Sequence, residues 1–385
     1  MRMNLDSQIQ IQNPLSMTVW PASSVCLVGP LPPPSGGMAE QTAQLARLLS
    51  NDGVQVNVVQ VNVPYPNNWL GKIRGLRAII RLIPYLLRLW QAIGNASIVH
   101  VMANSGWSWY LHAAPAILIA HFRKTPSIVN YRGGGAAEFL RKNNKFVLPT
   151  LRMTQALILP SNYLLTVFGK FGVTGKIVPN IVDLSRFTPA PKSSAPLSPH
   201  IIVTRNLETI YGIDVALKAF RIVLDHFPNA RMTVAGTGDQ TSNLQQVSQE
   251  LNIADKVAFV GRLGREEIGA LYNSADILLN ASRIDNMPNS LLEALASGIP
   301  IVSTNAGGIP HMVQQGKTAL LVDIDDFSAM AEATLTILKD AELRSKLIEN
   351  GLAEAVKYSW ESVSGCIAAA YADAAAQPRT RSICS

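Results

Sequence analysis

The stretch SRIDNMPNSLLEALASGIPIVSTNAGGIP, residues Ser282–Pro310, decides the fold of the second half of the chain. It begins in the loop after an apolar run, DILLNAS, and continues into an apolar helical pattern, LLEALA. The apolar run PIVST and a Gly-Gly loop follow, so strand, helix and strand alternate. This alternation predicts a parallel sheet with right-handed crossovers. Ligands bind such sheets beyond the carboxyl ends of the strands, which makes these loops candidate binding elements.

Two features of this stretch indicate a ligand. Glu293 lies inside the apolar run LLEALA, where a carboxylate is costly to bury unless it is paired or hydrogen-bonded. We interpret it as an acceptor of hydrogen bonds from a polyol such as a ribose; the alternative is a solvated charge on a surface helix. Gly307 and Gly308 precede a short helix, where glycine lets backbone N–H groups approach an anion. A Gly-Gly loop alone is equally compatible with a simple turn.

The same alternation extends over both halves of the chain. The predicted strands are SSVCLVG, VQVNVVQVN, SIVHVM, SIVNY and ALILP in the first half and HIIVTRNL, RMTVAG, VAFVG, DILLNAS and PIVST in the second. We therefore predict an α/β protein with two Rossmann-like domains facing across a cleft. The predicted segments are a polar tail at 1–20, a first domain at 21–185, a linker at 186–199, a second domain at 200–362, and a C-terminal helix and tail at 363–385.

Composition excludes several classes of protein. With 48% hydrophobic residues, the chain has enough apolar surface to offset the entropy of folding, which excludes disorder over most of its length. The three cysteines, Cys26, Cys366 and Cys384, form neither a metal spacing nor a disulfide framework. We find no secretory signal and no apolar run long enough to span a membrane. These observations predict a cytoplasmic protein.

Charge is distributed unequally between the two halves. Residues 1–190 contain 17 Lys and Arg against 5 Asp and Glu, whereas residues 191–385 contain 16 against 21. The first half also contains WLGKIRGLRAIIRLIPYLLRLWQAI, residues 69–93, in which basic and bulky apolar positions alternate. Such a helix is typical of peripheral binding to an anionic membrane, here the inner face of the cell membrane. The alternatives are an ordinary helix whose apolar face is core and a basic surface that only aids solubility. Two tryptophans in NSGWSWY, residues 104–110, suit either a sugar-stacking or a core position.

Ser282–Pro310 resembles a motif of the retaining glycosyltransferases that have two Rossmann-like domains, the GT-B fold of sequence family 4. The resemblance is strongest from Ile201 onward. The family has two Glu residues separated by seven positions, and Asp285 and Glu293 match them. The resemblance implies that Asp285 contacts the donor sugar and that Glu293 binds the nucleotide ribose. Asp285 is one methylene shorter than the Glu it replaces.

The family also clamps the donor diphosphate with an Arg and a Lys, which stabilise the leaving group. Arg205 in TRNLETIYGID matches the Arg, but Tyr211 stands where the Lys is expected. Tyrosine donates a hydrogen bond without bringing charge, and Arg262 or Arg132 is a candidate for the missing charge. Arg132 in VNYRGGG stands where the family has a His near the reacting carbon. A guanidinium binds phosphate but does not act as a base.

The remaining donor-binding positions that the resemblance implies are glycines in loops after strands. They are Gly36, Gly37, Gly236, Gly261, Gly307 and Gly308. Gly36 and Gly37 would place a helix N-terminus in the cleft, facing the donor. A strand followed by Gly is common in α/β folds, so the loop glycines are weaker signals than Asp285 and Glu293.

The resemblance implies a hexosyltransferase that moves a sugar from a nucleotide-diphosphate donor to a hydroxyl of a glycan or lipid-linked acceptor, with retention, in polysaccharide or glycoconjugate synthesis. Asp285, Arg205 and Arg132 are the predicted catalytic residues. We predict no cofactor and no metal, because no Asp-x-Asp pair or His cluster in the sequence suggests a required metal. The alternatives are a catalytically weakened binding or scaffolding subunit, a nucleotide-sugar epimerase, and a nicotinamide-dependent oxidoreductase. The last needs a G-x-G-x-x-G turn that GPLPPPSGGM does not supply. No nucleic-acid partner is predicted, since the basic residues form no recognised module.

Overall fold

The computed structural model describes residues 18–33, 36–63, 76–190 and 196–376, with the side chains of residues 76–81 left out. The polar tail predicted at 1–20 therefore lies largely outside the described residues, as do the final residues from 377 and Cys384. Two parallel sheets, each with helices packed on it, form the described part of the chain. The predicted α/β fold with two Rossmann-like domains is confirmed.

The first sheet has the strand order β2-β1-β3-β4-β5-β6 in the described residues. Its strands are β1 (Ser24–Gly29), β2 (Gln55–Gln60), β3 (Ile98–Ala103), β4 (Ser127–Tyr131), β5 (Ala156–Leu159) and β6 (Lys176–Ile177). Its helices are α1 (Gly37–Asn51), α2 (Leu76–Gly94), α3 (Ala114–Phe122), α4 (Ala136–Leu151) and α5 (Asn162–Gly169), with a π-helical turn at Trp109–Ala113 before α3. The inner strands are fully buried, as expected for a parallel sheet covered on both faces.

The second sheet has the order β12-β11-β10-β7-β8-β9 in the described residues. Its strands are β7 (His200–Thr204), β8 (Arg231–Ala235), β9 (Val257–Gly261), β10 (Ile277–Asn280), β11 (Ile301–Thr304) and β12 (Leu320–Val322). The helices are α6 (Ile213–His226), α7 (Thr241–Glu250), α8 (Arg265–Ser274), α9 (Asn289–Ala296), α10 (Phe327–Lys339) and α11 (Ala341–Ala355). The order of the strands reverses beside β7, which creates a crevice at their carboxyl ends.

The last helix, α12 (Trp360–Ala376), returns to the first sheet. Its side chains Val363, Ile367 and Tyr371 share a buried cluster with Val25 and Leu27 of β1. The Tyr371 hydroxyl also lies 2.9 Å from Nδ1 of a buried histidine of β3. The Ala-rich sequence of α12 is thus covered by the first domain rather than by the second.

The predicted strands are confirmed, and two short edge strands were missed. β6 and β12 have two and three residues, too few to show a periodic pattern. Strand β6 lies at one edge of the first sheet, and β12 lies at one edge of the second. The linker predicted at 186–199 lies between the end of β6 and the start of β7, and its residues 191–195 lie outside the described part of the chain.

The predicted basic amphipathic helix corresponds to α2, whose described side chains begin at residue 82. Lys72, Arg74 and Trp69 lie outside the described residues. One face of α2 is core, with Tyr85, Leu89 and Ile93 buried. The core interpretation is therefore confirmed for this face. The opposite face carries exposed apolar side chains, and membrane binding by the helix stays a prediction.

Candidate active site

The carboxyl ends of both sets of strands meet at the contact between the domains. Ser161, which precedes α5, donates from Oγ to Oδ1 of Asn286 at 2.5 Å. Asn289, the first residue of α9, donates from Nδ2 to the carbonyl oxygen of Gly37 at 3.2 Å. Asn180 donates to Oδ1 of Asn289 at 2.8 Å. Polar side chains therefore connect the two loop edges, and the predicted site residues gather around them.

Arg205 and Asp285 form an ion pair in this region. Arg205 follows β7, and its Nη2 lies 2.5 Å from Oδ2 of Asp285 in the loop before α9. Each side chain is only 12% exposed, so little water screens the pair. Ser282 Oγ donates to the same carboxylate oxygen at 3.2 Å, and the backbone N–H of Asn286 donates to Oδ1 of Asp285 at 2.9 Å. The predicted phosphate ligand and the predicted sugar ligand thus contact each other in this structure.

Glu293 is held by a tyrosine that the sequence analysis did not single out. Tyr272 of α8 is fully buried, and its hydroxyl donates to Oε2 of Glu293 at 2.8 Å. Thr204 Oγ1 lies 2.7 Å from the same hydroxyl. Burial raises the pKa of Glu293, and the Tyr272 hydrogen bond opposes that rise. Glu293 is therefore a half-buried carboxylate with an ordered partner, and the alternative of a freely solvated charge is wrong.

The Gly307–Gly308 loop packs directly against the loop that carries Asp285. Gly307 has φ of +53°, and a Cβ there would lie 2.0 Å from the Asp285 carbonyl oxygen. A Cβ at Gly308 would lie 2.0 Å from the carbonyl oxygen of Asn286, and the Gly308 amide donates to the Asp285 carbonyl at 3.1 Å. The short helix after this loop is a 3₁₀ turn, Ile309–His311. Close approach of two loops thus requires both glycines, and their contact with an anion stays a prediction.

Two further predicted glycines meet at the ends of β8 and β9. The Gly236 amide donates to the Gly261 carbonyl at 2.7 Å, and a Cβ at Gly236 would lie 1.9 Å from the carbonyl oxygen of Arg205. Arg262 donates from Nη2 to Oγ1 of Thr237 at 3.3 Å. This packing places the end of β7, and with it Arg205, against the two glycine loops.

On the first-domain side, α1 begins at Gly37 with Gly36 as its N-cap residue in extended conformation. Arg132 after β4 donates from Nη1 to Oδ1 of Asn180 and, at 3.4 Å, to Oε1 of Gln41. Burial lowers the pKa of Arg132 to about 10, so the guanidinium remains charged at neutral pH. Arg132 therefore contacts Asn180, which in turn donates to Asn289 of the second domain.

The structure separates the two tryptophans of residues 104–110. Trp109 is fully buried against Tyr131 and Phe139, as the core interpretation predicts. Trp107 is 78% exposed and lies edge-on to Tyr110. It follows the carboxyl end of β3, at the edge of the sheet that faces the second domain.

Sequence reasoning missed the residues that join the candidate groups. Tyr272, Asn180, Asn286, Asn289 and Ser161 are polar side chains on separate elements, and only the tertiary contact shows their roles. One signal was present, since Tyr272 lies among apolar residues of α8 and a buried tyrosine hydroxyl normally finds a partner. Within the described ranges, no three His, Cys, Asp or Glu side chains are placed to hold a metal ion.

Comparison with known families covers most of the chain. Residues 35–186 match the sequence model described as "Glycosyltransferase Family 4", and residues 189–353 match the one described as "Glycosyl transferases group 1". The chain belongs to this glycosyltransferase family. The two matches meet between β6 and β7, so each corresponds to one of the two sheets.

Curated relatives match the chain over part of their length. A D-inositol 3-phosphate glycosyltransferase of Corynebacterium jeikeium is 31% identical over 204 residues, which are 49% of this chain and 49% of that protein. A GDP-mannose-dependent alpha-(1-6)-phosphatidylinositol monomannoside mannosyltransferase of Mycobacterium tuberculosis is 26% identical over 210 residues, 50% of this chain and 54% of that protein. The chain thus matches about half the length of these curated relatives.

Solved structures of similar fold cover nearly the whole chain. Sucrose-phosphate synthase from Thermosynechococcus elongatus superimposes with a TM-score of 0.74 at 17% identity, over 91% of this chain and 98% of that one. Anabaena HepE, solved in complex with UDP and glucose, gives a TM-score of 0.68 at 15% identity, over 90% and 98%. At these identities the likeness establishes the GT-B fold.

Proposed function

We propose that this protein transfers a sugar from a nucleotide-diphosphate donor to a hydroxyl of a glycan or lipid-linked acceptor, with retention at the anomeric carbon. The observation that carries the proposal is the grouping of Arg205, Asp285 and Glu293 at the carboxyl edge of the second sheet, facing the first domain. A cation, a sugar-binding carboxylate and a ribose-binding carboxylate are the groups that such a donor requires. The names of the M. tuberculosis relative and of the HepE complex mention GDP-mannose and UDP, which supports a donor of this class.

In the proposed complex, Arg205 donates to the diphosphate, whose planar, bidentate recognition suits a guanidinium. Glu293 accepts from the ribose hydroxyls through Oε1, because Tyr272 already occupies Oε2. Asp285 accepts from hydroxyls of the donor sugar. The bond between the anomeric carbon and the diphosphate oxygen breaks, and the acceptor oxygen forms the new bond on the same face. The acceptor proton passes to the departing diphosphate, whose negative charge Arg205 stabilises.

A panel of nucleotide sugars tests the proposal. Thermal unfolding is measured with each candidate donor, because a ligand that binds only the folded state raises its stability. The stabilising donor is then incubated with glycan and lipid-linked acceptors, and the anomeric configuration of the product is read by NMR. We expect one donor to stabilise the protein and a product with the donor's configuration. An inverted product refutes retention, and stabilisation without turnover favours the scaffolding alternative, to which Tyr211 in place of Lys points.

We further propose that an apolar surface of the first domain binds an anionic membrane. Ile83, Leu87 and Trp90 lie on one face of α2 and are 54%, 62% and 51% exposed. Phe122 at the end of α3 is 73% exposed, and Arg123 places its guanidinium 4.7 Å from the Trp90 ring centroid. We call these five residues the α2–α3 surface. Exposed apolar side chains beside a cation are typical of an interfacial surface, and the basic first half adds attraction to anionic lipid. Among the described helices, none is long and apolar enough to cross a bilayer.

Vesicle flotation measures this binding. Leu87→Glu is expected to reduce the bound fraction on vesicles of phosphatidylglycerol and phosphatidylcholine by about tenfold, because it removes apolar burial and adds repulsion. Val356→Glu changes a residue of similar exposure in the second domain and serves as the matched control. Equal binding by the parent and Leu87→Glu would contradict the assignment of the α2–α3 surface.

A further inference from the structure

The guanidinium of Arg205 is held on two sides. Its Cζ lies 4.1 Å from the ring centroid of Tyr211, so the cation sits over an aromatic face. The ion pair with Asp285 restrains its outer nitrogen. The inner nitrogen, Nε, is buried and has no hydrogen-bond partner among the described residues. The orientation of the guanidinium therefore depends on the ring and the carboxylate together.

Tyr211 is itself fixed by the backbone around it. It ends the 3₁₀ turn Thr209–Tyr211, and the next residue, Gly212, has φ of +58°. A Cβ at Gly212 would lie 2.1 Å from the carbonyl oxygen of Ala281, so the turn is pressed against the end of β10. Glycine is required there both for the left-handed backbone and for the close approach.

Arg283 holds the same turn from the other side. Its amide donates to the Ile210 carbonyl at 2.8 Å, and its Nη1 donates to the Thr209 carbonyl at 2.7 Å. Ion pairs at 2.9 Å to Asp214 and 2.6 Å to Asp325 keep the Arg283 side chain in place. The Tyr211 ring therefore projects from a turn with few ways to move.

We propose that Tyr211 is a positioning residue, whose ring orients Arg205 for the diphosphate of the donor. This proposal rests on the proposed function, in which Arg205 is the diphosphate ligand. A guanidinium on a flexible side chain loses rotational freedom when it binds an anion, and a fixed ring beneath it removes part of that loss in advance. A cation at position 211 would instead repel Arg205 and compete for Asp285. The neutral ring adds no further cation beside Arg205 and fixes the direction of its guanidinium.

The ring acts through Arg205, and Arg205 acts on the diphosphate. Loss of the ring should therefore weaken diphosphate ligands much more than the corresponding monophosphate, whose contacts are with the ribose and base. The probes are the nucleoside diphosphate and monophosphate of whichever base stabilises the parent protein. Their Kd values are measured by calorimetry for the parent, Tyr211→Phe and Tyr211→Leu.

We expect Tyr211→Leu to bind the diphosphate about tenfold more weakly than the parent and the monophosphate within about twofold. Tyr211→Phe keeps the ring and is expected to stay within about threefold for both ligands. In an Arg205→Ala background, Tyr211→Leu should have no further effect, since the group it orients is gone. Thermal unfolding of every variant confirms that each is folded.

Four results would overturn the proposal. The first is a Tyr211→Leu variant that binds the diphosphate as tightly as the parent does. The second is a Tyr211→Phe variant that binds it as weakly as Tyr211→Leu does, which would assign the effect to the hydroxyl. Equal weakening of both ligands would indicate a general disturbance of the turn, and an additive effect in the Arg205→Ala background would show that the ring acts independently. A parent protein that binds no nucleotide refutes the proposed function itself, which the four results on variants cannot do.

Discussion

Replacing Glu293 by Gln separates the function of this carboxylate from its effect on stability. The substitution keeps the size of the side chain and a carbonyl oxygen that accepts from the Tyr272 hydroxyl. In the parent protein this hydroxyl lies 2.8 Å from Oε2 of Glu293. It removes the negative charge that the proposed ribose contact uses. A hydrogen bond to a charged acceptor contributes about 1.5–3 kcal/mol. We therefore expect nucleotide binding to weaken by about 10- to 150-fold.

Stability should change in the opposite direction. Burial raises the pKa of Glu293, so the folded protein binds a proton more readily than the unfolded chain. The contribution of this group to stability is present at low pH and is lost as the pH rises from the ordinary carboxyl range through the raised pKa. Above the raised pKa, the charged and partly buried carboxylate destabilises the fold, and Gln removes this cost. The Tm of Glu293→Gln should then equal or exceed that of the parent, and the difference should shrink at pH 4.5.

The assay combines calorimetric titration with the preferred nucleotide and thermal unfolding at both pH values. Glu349→Gln is the matched control, because Glu349 is an exposed carboxylate on α11 of the same domain. Its nucleotide affinity should equal that of the parent. If Glu293→Gln binds nucleotide as tightly as the parent does, the ribose assignment is wrong. A large loss of Tm at pH 7.5 would instead show that the charge stabilises the fold.

Three further predictions follow from close contacts and burial. Gly308→Ala should lower the free energy of unfolding in urea by about 1–3 kcal/mol and weaken donor binding, because its Cβ would lie 2.0 Å from a backbone oxygen. Gly135 has open space around it, so Gly135→Ala is the control and should change the same free energy by less than about 0.5 kcal/mol. Tyr371→Phe should cost about 1 kcal/mol in the same assay, through loss of its contact with His100, and leave nucleotide affinity unchanged. Burial, with a smaller effect of Arg132, lowers the pKa of His100 from 6.5 to about 3. Below pH 6.5 this histidine therefore binds a proton in the unfolded chain but not in the folded protein, until the pH nears 3. Stability should therefore fall between pH 7 and pH 4, with a shallower slope in His100→Gln, and equal slopes would contradict this origin.

Local patterns were sufficient for the layout of the fold. Apolar runs and helical periodicity identify ten strands because each inner strand is buried on both faces. The strands β6 and β12 are too short to carry such a pattern. The return of α12 to the first sheet was also beyond reach, because an Ala-rich helix indicates burial but not the surface that buries it.

The candidate site shows the same division. Glu293 was recognisable from the apolar helix around it, and Asp285 from the resemblance to the motif of the family. The ion pair of Asp285 with Arg205 depends on residues 80 positions apart, and no local pattern records it. Tyr272 lies 21 positions before Glu293 and meets it only because residues of α8 and α9 share one buried cluster. Side-chain partners across elements are set by tertiary packing, which a single sequence does not encode locally.

The return of α12 has a consequence for synthesis on the ribosome. The core around β1 is completed by Val363, Ile367 and Tyr371, which are made after every residue of the second sheet. Domains usually acquire their structure in the order in which they emerge. Here the first domain is synthesised first, but α12, which covers one face of its sheet, is synthesised last. Until α12 has left the ribosome, the apolar side chains of that face stay uncovered. The second domain can fold beforehand, and a product truncated before α12 would leave apolar side chains of the first sheet exposed.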